Sequence, residues 1–336
     1  MEVLVTALGM GLLHSLWIGL LAYLGVRLLS PLLSSAGARY RLAYGGLWFV
    51  VLSSVAAGWL SYGEPSVCDR FVDAGALVIA QWNAGVPDAG LFVTYLAPAA
   101  APYLLLAYAL SLPLVLLGFY RDYHRSRFLA RRGLTPAPAA WTTGLTTAPC
   151  FLSDHAGEVM TVGLRRPVVL FPRALANQLT PDEARSILLH ELGHLRHADH
   201  WLNHPQQLLR RLAWFHPAVA ALSRLADRER EYRCDDFVTA RTADRRTYAT
   251  ALLTVAGYRH QPANALLLAA TKTAFTRRIH RLFAPDSPAP TRRGGFSLLF
   301  ALTLGLVLAG NLYLEPVATD CPGTDTAALT VVMPGL

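Results

Sequence analysis

Four stretches of this 336-residue chain contain no Asp, Glu, Lys or Arg: residues 3–26, 42–62, 98–120 and 296–314. About 20 helical residues cross the ~30 Å hydrocarbon core of a bilayer, and each stretch is close to or beyond that length. A single such run could be a buried core helix, but four together argue for membrane spans. Composition agrees, with 53% hydrophobic and only 15% charged residues, against about 25% charged in ordinary soluble domains. Met1-Glu2 supplies no basic n-region and the first run outlasts a signal-peptide core, so the sequence predicts a retained first helix.

The charged residues between the runs predict an orientation. Arg27, Arg39 and Arg41 separate the first two runs, Arg121, Arg125, Arg127, Arg131 and Arg132 follow the third, and Arg277, Arg278, Arg281, Arg292 and Arg293 precede the fourth. The loop after the second run instead holds Glu64, Asp69, Asp73 and Asp88 against Arg70, and the tail holds Glu315, Asp320 and Asp325 with no base. The positive-inside rule then places both termini outside and residues 121–295 in the cytoplasm. The expected organisation is a membrane region 1–120 with an outer loop 63–97, a cytoplasmic domain 121–295, a fourth span 296–314 and a short outer tail 315–336. The formal charge of +8 reads as topology plus contact with an anionic lipid bilayer, not as direct nucleic-acid binding. Cys68 and Cys321 fall on the oxidising side and are predicted to pair, whereas Cys150 and Cys234 fall on the reducing side.

Chemistry is concentrated in Ser186–His197, where His190, Glu191 and His194 form an H-E-x-x-H pattern. Four residues advance a helix by little more than one turn, so both imidazoles leave one face and can meet a single Zn²⁺. Glu191, one step round, is placed to take a proton from the attacking water. Thr180-Pro181-Asp182-Glu183 reads as an N-cap, a proline at the first helical position and acids in the first turn.

Before this helix, a Pro/Ala/Thr-rich linker 133–149 leads to three strand-like runs, 150–152, 159–162 and 167–172, bounded by Gly, Asp and Pro. An exposed edge of that sheet could pair with an extended substrate backbone, or the sheet could simply floor the core. Catalytic zinc needs a third protein ligand. His197 sits a turn too far, and His200 and His204 point elsewhere or lie past an expected break at Pro205. Glu231 and Asp235 share a face of a helix expected to start near Pro217. Glu231 could bind the metal while Asp235 accepts the outer N–H of a ligating histidine. Alternatively, with Arg228, Arg230 and Arg233, this stretch is a solvated charged face. His197, His200, His216 and Tyr232 are candidates to stabilise an oxyanion, and His14 is an ionisable group inside the first run.

HELGH at 190–194, WFHP at 214–217 and Glu231-Tyr232-Arg233-Cys234-Asp235 together resemble the M56 peptidase family, which includes membrane sensor-proteases controlling β-lactamase expression. LLHSLW at 12–17, RYRLA at 39–43, RRPVVLFP at 165–172 and RRIHRL at 277–282 extend the likeness. The resemblance implies a polytopic α-helical membrane protein with four spans and an inserted α+β, gluzincin-like cytoplasmic domain. It further implies His190, His194 and Glu231 as Zn²⁺ ligands and Glu191 as the catalytic base. The expected function is zinc-dependent endoproteolysis of a cytoplasmic protein in signal transduction, the substrate being a winged-helix repressor as in the relatives. The competing readings are a membrane quality-control protease and a non-catalytic receptor with a structural metal. Two departures stand out. His216 occupies a position where family members often have Asn, and the tail 315–336 has no S-x-x-K motif, so sensing by β-lactam acylation is not expected.

Overall fold

A computed structural model describes residues 2–60, 97–129, 133–145, 148–242, 244–259 and 275–283. Three long helices, α1 (Glu2–Leu29), α2 (Ala36–Leu60) and α3 (Ala97–Leu129), correspond to the first three apolar runs. Each supplies a stretch long and apolar enough to cross a membrane: Gly11–Leu32, which runs on through a 3-10 turn at Ser30–Leu32, then Ala36–Trp59 and Pro102–Arg125. The fourth run, the outer loop and both Cys68 and Cys321 lie outside the described residues. The helices outlast the charge-free runs. Helix α2 begins six residues before residue 42, where Ser35 Oγ accepts the Ala38 N–H at 3.2 Å, and α3 continues through the basic segment to Leu129. An absence of charge marks the part of a helix that suits hydrocarbon, whereas the backbone ladder continues wherever propensity permits.

The remaining elements are β1 (Leu134–Pro136), α4 (Ala139–Thr142), β2 (Cys150–Ser153), β3 (Met160–Val162), β4 (Val168–Pro172) and α5 (Arg173–Ala176). They are followed by α6 (Pro181–Arg196), α7 (Asp199–Leu212), α8 (Pro217–Thr239) and α9 (Arg245–Arg259). A further helix, α10, covers 275–283. The sheet order is β1-β2-β4-β3, with β2 and β4 parallel and the outer pairs antiparallel, which leaves β1 and β3 as edges. The segment 133–149 is therefore not a plain linker. Leu134 starts a strand, and Trp141 buries its ring 5.3 Å from Phe171, so apolar anchors override the Pro/Ala-rich composition.

Two cores form. One lies between the sheet and α6, α8 and α9, around Phe171, Leu188 and Tyr248. Truncating Leu188, 2% exposed, would cost about 2–5 kcal/mol. The second joins α8 to the long helices: Val219, Leu222 and Ala226 pack with Ile18, Val26 and Leu47. Helix α8 thus belongs to both cores, its first half to the apolar helices and its second half to the site.

Candidate metal centre

Helix α6 starts on a capping box. Thr180 Oγ1 accepts the Glu183 N–H, and the Glu183 carboxylate accepts the Thr180 N–H at 2.8 Å. Pro181 at the first position loses nothing, since its missing N–H would have no helical partner. The helix buries Ile187, Leu188 and Leu192 against the sheet and turns His190 and His194 toward α8. Gly193 permits a close crossing, because a methyl group there would stand 3.4 Å from Cys234 Sγ and 3.3 Å from the Phe237 ring. Ala198, in the left-handed region at φ 58°, reverses the chain into α7.

The close crossing brings Glu231 between the two imidazoles. One carboxylate oxygen lies 3.4 Å from His190 Nε2 and the other 3.7 Å from His194 Nε2. Ligand atoms of His190, Glu191 and His194 also fall within 4.8 Å of one another. Donors at the corners of a tetrahedron with ~2.1 Å metal bonds stand about 3.4 Å apart, so this spacing fits a zinc-sized ion.

Each imidazole is braced from behind. Tyr248 Oη lies 2.8 Å from His190 Nδ1 and donates to Asp235 Oδ1 at 2.6 Å. Because the hydroxyl has a single proton, already given to Asp235, His190 Nδ1 must donate, and Nε2 is left facing Glu231. Asp235 is held in turn by Arg278 at 3.0 and 2.7 Å, and the same guanidinium reaches Glu231 at 2.9 Å. His194 Nδ1 pairs with Asp199 at 2.9 Å, and Asp199 also accepts from Arg233. The Cys234 thiol lies 3.2 Å from His194 Nδ1.

The charges are strongly coupled. Burial would lower the His190 pKa, but Asp235 and Glu231 outweigh it and raise the group to about 9. Burial would raise Glu231 and Asp235, yet Arg278, helped by the imidazoles, holds both carboxyls well below their usual range. Burial, then Asp235, pushes the Tyr248 hydroxyl far up, so it stays a donor. Burial and the neighbouring acids likewise keep Cys234 a thiol, and burial pushes Cys150 up to about 12. Neither thiol suits nucleophilic chemistry at neutral pH.

A cleft of about 250 Å³ opens over these groups. Val159 and Thr161 line one wall, Ile187, Leu252 and Val255 give it an apolar side, and His200, Asn203 and Arg230 a polar one. Thr161, on edge strand β3, donates to Glu191 at 3.1 Å.

Residues 152–282 match the family model described as BlaR1 peptidase M56. The resemblance to the M56 peptidases is borne out. The chain is also similar to the Regulatory protein BlaR1 of Bacillus licheniformis, with 28% identity over 177 residues, 49% of this chain and 29% of that protein. The chain thus spans well under half the length of that relative. The groups that line the cleft and those that brace the histidines, from Val159 to Arg278, all fall inside the M56 match, and together they support a membrane-associated, peptidase-like protein.

Several expectations change. Of the candidates for oxyanion stabilisation, only His200 lines the cleft. His197 caps the end of α6, and Tyr232 packs under Arg281 at 4.9 Å. His216 caps α8, where Nδ1 accepts from Val219 N–H and Nε2 donates to the Ser15 carbonyl at 2.7 Å. Helix α7 runs straight through Pro205: packing of Leu202 and Leu209 and the buried bonds of Gln206 outweigh the lost hydrogen bond. Nor is the Arg-rich stretch of α8 a solvated face. Arg230 binds Asp227 and Asn203 at 2.9 Å, and Arg233 holds Asp199. His14 Nδ1 accepts from Trp17 Nε1 within its own helix. Sequence reasoning did not find Asp199, Tyr248, Arg278 or Thr161. The basic RRIHRL motif contained Arg278, but nothing local joined it to the acids of α8.

Proposed function

We propose that this protein is a membrane-anchored zinc metalloendopeptidase of gluzincin type, with His190, His194 and Glu231 holding the metal and Glu191 as general base. The supporting observation is the Glu231 carboxylate, one oxygen against each Nε2 of the H-E-x-x-H pair. Bound zinc would supply Lewis acidity to the scissile carbonyl and the attacking water. Glu191 accepts the proton of that water and later delivers it to the leaving amine. Thr161 Oγ1 fixes one Glu191 oxygen, leaving the other for the proton. Asp235 through Tyr248, and Asp199 directly, keep both imidazoles turned with Nε2 inward. The exposed edge of β3 gives an extended substrate a backbone to pair with beside the base.

The similarity to a protein named as regulatory favours a signalling role over general clearance. In this reading a cytoplasmic repressor of the winged-helix kind is the substrate, the cleft and sheet of the 121–295 block open to the cytoplasm, and a fourth span follows. Glu191→Gln should keep stoichiometric zinc and abolish cleavage, whereas His190→Ala should lose both. Comparative proteomics of cells carrying wild type or Glu191→Gln should then reveal a few cleaved proteins. A broad set of unfolded substrates would favour quality control, and full function in the Glu191→Gln strain would favour a receptor with a structural metal.

A further inference from the structure

Helices α7 and α8 form a hairpin whose turn, residues 213–216, meets the long helices far from their basic ends. His216 Nε2 donates to the Ser15 carbonyl, and Ser15 lies about 18 Å along α1 from Arg27. On the other side, Trp214 Nε1 donates to Ser111 Oγ at 3.1 Å and the Phe215 ring stands 5.8 Å from Tyr108. Ser111 lies about 15 Å along α3 from Arg121. Half a hydrocarbon core is also about 15 Å. Two helices with independent registers therefore give the turn the same depth.

We propose that Asp199–Thr239 is a re-entrant membrane hairpin whose tip, Trp214 to Pro217, sits near the middle of the bilayer, with lipid acyl chains covering its outer side. Four further observations fit that placement. No charged residue occurs from Leu212 to Ser223, a run of the length expected for a re-entrant segment rather than a span. Trp214 is 59% exposed, next to apolar side chains of α3 that are exposed as well, such as Leu110 at 71% and Leu114 at 74%. Arg211 reaches back to Asp122 and over the Phe119 ring, and Arg210 lies 3.8 Å from Asp227, so these two bases on the first arm extend toward the basic end of the bundle. Between the arms, Gln206 donates to Ser223 Oγ at 3.0 Å and to Asp227 at 2.8 Å, the kind of inter-helix polar contact that a low-dielectric setting favours.

Close packing at the tip has a specific enabling residue. A methyl group on Gly19 would stand 2.2 Å from His216 Cε1. From Pro217, α8 rises about 21 Å to Glu231, which brings the cleft level with Arg39 and the basic ends of the long helices, in the headgroup layer. The inference rests on the membrane spans and is independent of hydrolysis.

The test uses the full chain in phosphatidylcholine vesicles and reads the emission that disappears in Trp214→Phe, with Trp201→Phe as a shallow reference. Bromines placed deep in the acyl chains should quench the Trp214 component strongly, and aqueous iodide should leave it unchanged. The Trp201 component should show the opposite order. A Trp214 component quenched by iodide and untouched by deep bromines would overturn the proposal. A second measurement needs no variant: a lipid with a diazirine at its chain end should label wild-type residues 212–215. Labelling confined to α1, α2 and α3 would contradict the hairpin's depth.

Discussion

The two histidines of the H-E-x-x-H helix are braced by different parts of the molecule. Behind His190 stand Tyr248, Asp235 and Arg278, all within the M56 region. Behind His194 stands Asp199, gripped by Arg233, whose guanidinium lies 4.3 Å over the ring of Tyr40 on α2. One imidazole is therefore set by the peptidase core alone, while the other is set through a relay that ends on an apolar long helix. Arg39 reinforces that second connection by binding Glu229 at 2.7 Å. The contrast teaches that the site is not an independent module beside a membrane anchor, because the brace of one of its two histidines ends on the anchor itself.

Breaking the His190 brace should have the largest effect. Asp235 is 1% exposed, and Asp235→Ala leaves Arg278 and His190 without their buried partner, a loss of about 3–5 kcal/mol in thermal or denaturant unfolding. Asp199→Asn keeps the shape but weakens the hold on His194, and should reduce zinc affinity by about 10–100-fold while the fold persists. Gly19→Ala strikes the anchor side instead: the collision with His216 should cost about 1–3 kcal/mol and loosen the hairpin without altering any group at the site. Tyr40→Leu removes the ring under Arg233 together with its stacking on Tyr44; its effect on zinc affinity should be about 0.5–2 kcal/mol and non-additive with Asp199→Asn.

The proton count sharpens the comparison further. His190 in the metal-free protein is raised to about 9, so its charged form stabilises the fold fully below pH 6.5, and that contribution is lost as pH rises through 9. Zinc needs the deprotonated nitrogen. Binding near neutral pH should therefore release a proton, and affinity should rise up to about pH 9 and then level off. Calorimetry in two buffers of different ionisation enthalpy measures the release. In Asp235→Asn, with the brace weakened, the rise should end at lower pH.

Much of the framework was legible before the structure. The runs at 3–26, 42–62 and 98–120 each became a long helix, because an unbroken absence of charge is a strong signal over twenty residues. The start of α6 was legible from Thr180 to Glu183, since capping is local chemistry. The hairpin was hidden: its charge-free stretch is short, Arg210 and Arg211 precede it, and Pro205 suggested a break. Only the contacts of Trp214 and His216 with α3 and α1 reveal its depth. At the site, the i, i+4 spacing exposed His190 and His194, and the shared face of Glu231 and Asp235 suggested a partner set. Asp199, Tyr248 and Arg278 were invisible because their roles depend on how α7, α9 and α10 pack, which no local spacing encodes.

The central claim is that Glu231 joins His190 and His194 on one zinc ion. X-ray absorption on the zinc-loaded full-length protein, alongside metal analysis of Glu231→Ala, tests it most directly. One zinc per chain is expected, bound by two imidazole nitrogens and carboxylate oxygen, with binding greatly weakened in Glu231→Ala. Sulfur in the coordination shell, or zinc held equally well without the Glu231 carboxylate, would contradict it.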